Sequence, residues 1–193
     1  MNRITEIDIR HSKLGSEAFV GLLSQLHEIP SLRYLKLQNS STSDAQVTTS
    51  LVKILQKQTL RKLNLGHLSV DWNVLAESLK ADTTLERLII MPREKDEAQH
   101  IPKALLTALE ARNTALQNVL IMAPTMTQDI FRVDYLAALN RVGRAQAFQH
   151  PPLEELVELL CGVTETERQT SWQMSQLNLI HGLLRINPAV WTR

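Results

Sequence analysis

The sequence predicts an α/β fold: a short solenoid of about five strand–helix repeats. A parallel sheet lines its concave face, helices its convex face, and a helical cap closes its C-terminal end. Three observations predict it. An apolar triplet of strand-like spacing recurs five times, as Ile4-x-x-Ile7-x-Ile9, Leu32-x-x-Leu35-x-Leu37, Leu60-x-x-Leu63-x-Leu65, Leu85-x-x-Leu88-x-Ile90 and Leu116-x-x-Val119-x-Ile121. The copies start 25 to 31 positions apart, a period that marks stacked repeats. After each triplet the apolar spacing changes from two to that of a helix. Finally, hydrophobic residues make up 44% of the 193-residue chain and aromatics only 4%, so aliphatic layers must fill the core.

The first strand spans the Ile4 triplet, and Phe19, Leu22, Leu23 and Leu26 predict a helix over 16–28. In the second repeat Tyr34 and Lys36 alternate with the leucines. A polar bend follows, and Val47, Leu51, Ile54 and Leu55 then share one helical face. Ser43-x-x-Gln46 is a capping-box pattern at the start of that helix. Asp71 is placed to cap a third helix through Val74, Leu75 and Leu79. The fourth repeat carries a longer polar insertion over 91–99. Pro102 is then expected in the first turn of a helix through Leu105, Leu106 and Leu109, where its missing N–H costs nothing. Thr127 precedes a fifth helix through Ile130, Phe131, Leu136 and Leu139. Strands alternating with helices must run parallel, with the helices outside.

These units resemble the ribonuclease-inhibitor-like subfamily of leucine-rich repeats over about 4–139, with one departure. The subfamily places Asn or Cys three positions after the third apolar residue, and this chain has Ser12, Ser40, Leu68, Arg93 and Pro124 there. The turns must therefore satisfy their backbone groups by other means. From residue 139 the run Leu-Asn-Arg-Val-Gly-Arg resembles the segment after the last repeat of diatom and other algal leucine-rich repeat proteins. An amphipathic helix over 153–161 and a leucine-rich helix ending at Asn187-Pro188 follow. The domain reading is thus repeats over 1–139 and a helical capping segment over 140–193. The helix through Trp172, Leu179, Leu183 and Ile186 should stop before Pro188, which forces its predecessor out of helical geometry.

The alternate strand residues are expected to point from the concave sheet into solvent. They are Glu6, Asp8 and Arg10; Tyr34, Lys36 and Gln38; Lys62, Asn64 and Gly66; Arg87, Ile89 and Met91; and Asn118, Leu120 and Met122. The face changes from charged to apolar along the stack. The charged half reads equally as an ordinary solvated face, with Asp8 and Lys36 close enough to pair. For Ile89, Met91, Leu120 and Met122 there are two readings: a partner-binding groove, or a patch covered by the C-terminal helices. Five strands ~4.8 Å apart and five residues along each give on the order of 300 Å². A standard interface needs about 800 Å² per partner, so loops or an end of the stack must contribute. The first strand has no capping element before it. Its Arg3, Glu6, Asp8 and Arg10 guard that edge against pairing, or the edge docks a second copy or a partner.

The function expected is a non-catalytic protein–protein interaction scaffold. Its binding residues would be Asp8, Arg10, Tyr34, Lys36, Gln38, Lys62, Asn64, Arg87, Ile89, Met91, Leu120 and Met122, together with the adjacent loops or the N-terminal edge. Two alternatives stand beside it. One is a GTPase regulator, because the Ran GTPase-activating protein has repeats of this subfamily, although its acidic tail and additional repeats have no counterpart here. The other is a self-associating structural subunit. No nucleotide, hydrolase or zinc motif occurs, so no catalytic residue, metal or cofactor is expected. Ser50-Leu51-Val52-Lys53 matches an acyl-enzyme pattern but falls in a convex helix without supporting motifs. His11 and His67 stand two repeats apart, about 10 Å, which is too far to share a metal. The net charge of +1 gives no pull toward nucleic acid or membrane. The single cysteine, Cys161, reads as a packed thiol, and its solitude favours a reducing compartment, cytoplasmic or nuclear. No signal peptide or membrane span is legible.

Overall fold

A computed structural model describes residues 3–10, 14–38, 44–94, 96–111, 113–125 and 127–142. Strand and helix alternate through them: β1 (Glu6–Ile9), α1 (Ser16–Leu26), β2 (Tyr34–Gln38), α2 (Asp44–Gln56), β3 (Lys62–Gly66), α3 (Trp72–Ala81), β4 (Arg87–Met91), α4 (Glu97–Ala111), β5 (Asn118–Ile121) and α5 (Gln128–Val142). The five strands form one sheet in chain order, with every neighbouring pair parallel. Each helix packs against the next on the other side of the core. The chain is a leucine-rich-repeat-like α/β solenoid.

The core is a single aliphatic layer between sheet and helices. Leu35, Leu37, Leu63, Leu65, Leu88, Ile90, Val119 and Ile121 point into it from the strands, all buried. Phe19, Leu23, Val47, Leu51, Leu75, Leu79, Ile101, Leu105, Ile130 and Val133 meet them from the helices, also buried. Leu32, Leu60, Leu85 and Leu116, just ahead of their strands, close the layer at the end where the helices leave off. The last four triplets of the sequence are therefore the inward face of the sheet together with that closing residue; in the first, Ile9 is buried, Ile7 half-buried and Ile4 exposed.

Asp71 caps α3 as its position predicts, its carboxylate accepting from the N–H groups of Asn73 (3.0 Å) and Val74 (3.1 Å). The Asp71 N–H donates to Thr48 Oγ1 at 2.9 Å, which fixes the start of α3 against α2. Asp71→Ala should cost about 1 kcal/mol, the usual value of a cap. A urea midpoint that does not move would show the cap to be dispensable.

One expectation changes. Pro102 is not in a first turn: α4 begins at Glu97, so Pro102 is the sixth residue of the helix and is buried. The insertion ends earlier than its polarity suggests because Glu97 ties it down. Its carboxylate accepts from Trp72 Nε1 at 2.9 Å and from the Arg93 N–H at 2.6 Å. The turns lack the asparagine ladder, as the sequence indicates. At the expected ladder positions Leu68 is buried in the core, while Arg93 and Pro124 are exposed. Polar side chains instead line the opposite bend, where each helix returns to a strand. Gln58, in a left-handed conformation (φ 52°), accepts from the Thr83 N–H at 2.8 Å. Asp82 accepts from the N–H groups of Thr84 and Leu85, both at 2.7 Å. Asn113 donates to the carbonyls of Leu79 (2.6 Å) and Asp82 (3.2 Å) and accepts from the Leu116 N–H (2.9 Å). Asn140 donates to the carbonyls of Asn113 (2.8 Å) and Leu116 (2.9 Å). Buried amides of this kind join one repeat to the next by satisfying backbone that the core would otherwise orphan.

Asn140 thus belongs to the ladder of the repeats, and α5 runs across the expected boundary at 139/140. The expected capping helices over 153–187, and with them Cys161, lie outside the described residues. So do Ser12, Ser40, Ser43 and His11.

Candidate binding face

The strand register sets the outward side chains in rows. Glu6, Tyr34, Lys62, Arg87 and Asn118 stand opposite one another across the five strands. Asp8, Lys36, Asn64, Ile89 and Leu120 form the second row. Gln38, Gly66 and Met91 align in the third, with Met122 just past the end of β5. All twelve residues expected to bind a partner therefore belong to one side of the sheet or its margin. Gly66 has a local reason: a Cβ there would lie 3.2 Å from Cγ of Gln38, whose side chain leans across β3.

The charged end is internally neutralised. Lys36 Nζ stands 3.0 Å from Glu6 and 3.7 Å from Asp8. Arg10 donates to Asp8 at 2.6, 2.8 and 3.0 Å, and this hydrogen bonding holds the Asp8 carboxyl below its ordinary value. These pairs are exposed and contribute little to stability.

The middle of the face is not neutralised. Lys62 Nζ lies 5.0 Å from the centroid of the Tyr34 ring, a cation–π contact. Beside it stands Arg87, whose buried Nε has no hydrogen-bond partner. Among the described residues no carboxylate comes within ion-pair distance of either cation. The two cations share with Glu6, Tyr34, Lys36 and Ile89 a shallow hollow of about 300 Å³. Beyond it the face turns apolar: Ile89, Met91 and Leu120 are half-buried and Met122 is 55% exposed. The alternation of the sequence identified the members of this face. The missing partner of Arg87 and the stacking of Lys62 on Tyr34 depend on side-chain rotamers, which no periodicity encodes.

A second cavity, about 450 Å³, lies on the convex side between the start of α3 and α4, with His100, Lys103 and Thr107 on its wall. Asp71 on its other wall is engaged in capping α3. His67 adopts a left-handed conformation (φ 51°), and its Nδ1 lies 3.2 Å from the Pro92 carbonyl, so it is engaged in the turn after β3. Among the described residues no three His, Cys, Asp or Glu side chains cluster as metal ligands would. Nor is any described helix long and apolar enough to cross a membrane.

No protein-family profile and no curated protein matches the sequence. Solved structures do match in shape. The tropomodulin C-terminal domain of Caenorhabditis elegans is similar with a TM-score of 0.59 at 18% identity, over 76% of this chain and 89% of that one. Leiomodin-1 actin-binding site 2 is similar with a TM-score of 0.58 at 18% identity, over 75% of this chain and 85% of that one. At such identity the likeness establishes the fold.

Proposed function

We propose that the protein is a non-catalytic protein-interaction module that binds through its concave sheet, with adjacent loops completing the contact. The observation that carries this reading is the sheet face itself. It joins two cations, without carboxylate partners among the described residues, to an apolar margin whose Met122 is 55% exposed. A face of that composition gains from being covered. The residues after α5, 143–193, act in this reading as a capping segment, and the protein works in the cytoplasm or nucleus. Actin is the first partner to test, because leiomodin-1 actin-binding site 2 shares the fold. Co-sedimentation with filamentous actin and affinity capture with Ile89→Asp and Tyr34→Ala form the experiment. Each substitution should reduce capture at least about tenfold, as truncation of a central contact does. Normal capture by both variants sinks the concave-face reading, whereas failure with actin alone removes only that partner.

Self-association is the second reading, favoured by β1. This strand has one neighbour among the described strands, and Ile4 beside it is 54% exposed. An open edge of this kind can pair with another copy. Light scattering that gives a monomer mass at high concentration would remove it.

A further inference from the structure

Resting on the concave-face reading, we infer that this face takes an acidic, extended peptide segment of the partner. A carboxylate of the segment seats between Lys62 and Arg87, and apolar side chains two and four residues away lie on Ile89 and Leu120, then on Met91 and Met122. Lys62 and Arg87 are directly opposite on neighbouring parallel strands. Like charges so placed repel, and no carboxylate of the described residues lies within ion-pair distance to offset them. A carboxylate relieves this repulsion, since it accepts from the guanidinium fork of Arg87 and from an ammonium at once.

The remainder of the ligand follows from β4. Arg87, Ile89 and Met91 succeed one another on the outward side of one strand, about 6.6 Å per step. An extended peptide repeats its side chains at the same interval, so a chain laid along β4 matches acid, apolar, apolar at alternate positions. Leu120 stands beside Ile89 and widens the second site. Glu6 and Asp8, at the far end of the rows, already engage Lys36 and Arg10, which leaves the Lys62–Arg87 position for the carboxylate. Two cations are too few for a nucleic acid, whose phosphates would need several in a row.

The test is selection from a displayed library of random 12-residue peptides on the full chain, followed by fluorescence anisotropy of the selected peptides. The expected result is enrichment of Asp or Glu two positions from an apolar residue. Binding should fall at least about tenfold in Lys62→Glu and in Arg87→Gln, as for a desolvated charge pair. It should weaken further as salt is raised. Lys62→Glu should melt close to wild type, because the attraction to Arg87 that it gains offsets the Tyr34 contact that it loses. That separates lost binding from lost folding. Selected peptides without acid enrichment, peptides indifferent to both substitutions, or recovery of none would overturn the inference. So would a labelled 12-nucleotide DNA that binds through the same two cations when peptides do not. Peptides lost in Ile89→Asp but free of acidic preference would overturn this inference and leave the concave-face reading standing. Peptides indifferent to Ile89→Asp and Tyr34→Ala would overturn both.

Discussion

Asn113→Ala is expected to destabilise the fold by about 3 kcal/mol, more than any surface substitution on the sheet. The side chain is 1% exposed and makes three hydrogen bonds to backbone, two as donor and one as acceptor. Alanine leaves the Leu116 N–H, the Asp82 carbonyl and one bond of the Leu79 carbonyl without that partner, in a place water reaches poorly. Leu79 O also receives the Asp82 N–H at 3.2 Å, which moderates the loss at that atom. Each orphaned group costs roughly 1–3 kcal/mol, but groups in one network do not add fully. Asn113→Asp is the sharper control. It keeps an acceptor for Leu116 yet turns a carboxylate toward two carbonyl oxygens, so it should be at least as damaging as alanine. Asn140→Ala should cost about 2 kcal/mol, since it removes two donated bonds. Urea unfolding followed by circular dichroism measures all three. Because Asn113 joins the fourth repeat to the third, its loss should also broaden the transition as the stack uncouples. A cost below about 1 kcal/mol for Asn113→Ala, the value of one ordinary hydrogen bond, would mean that the ladder does not hold the repeats together.

The same ladder shows where sequence reasoning reaches its end. The triplets are periodic, and each residue of a triplet has one available role, so strands, helices, parallel order and the rows of the concave face could all be read in advance. Asp71 was legible because a capping side chain acts on its own next turn. Asn113 and Asn140 act on backbone 24 to 34 residues away, Asn113 on its own bend as well, whereas Asp82 acts on the bend that follows it. Asp82-x-x-Leu85 and Asn113-x-x-Leu116 did carry a signal, an Asx three residues before the closing leucine. It occurs in too few repeats to stand out from ordinary loop composition. The subfamily pattern also directed attention to the wrong bend, the exit of the strand rather than its entrance. Pro102 misled for a related reason. A proline marks a helix start only when no acid upstream recruits the preceding residues, and Glu97 does so through Trp72 and the Arg93 backbone. On the outward face of the sheet, membership was readable because alternation decides it. That Lys62 and Arg87 meet no carboxylate among the described residues was not readable, because scattered acids are available in sequence to any cation.

Asp134→Asn should remove most of a pH dependence that the wild-type fold carries between about pH 4 and 7. Asp134 is half-buried on α5, and burial pushes its carboxyl up to about 7 from an ordinary 3.8. Among the described residues no cation pairs with it. The folded protein therefore binds the proton more tightly than the unfolded chain. This group's contribution to stability is fully present below pH 3.8 and is lost as pH rises toward 7. Above pH 7 the cost of holding a desolvated carboxylate levels off, on the order of 2–4 kcal/mol for a shift of this size. Asparagine has nearly the shape of the protonated acid and no charge to desolvate. The variant should match wild type near pH 4 and exceed it by that amount at pH 8. Urea denaturation of both proteins at pH 4.5, 6 and 8 decides the matter, because carboxylates common to the two cancel in the difference. Curves that stay parallel across the three pH values would show that Asp134 ionises as an ordinary surface acid. Divergence in the opposite sense, with wild type gaining as pH rises, would require an ion pair in place of desolvation.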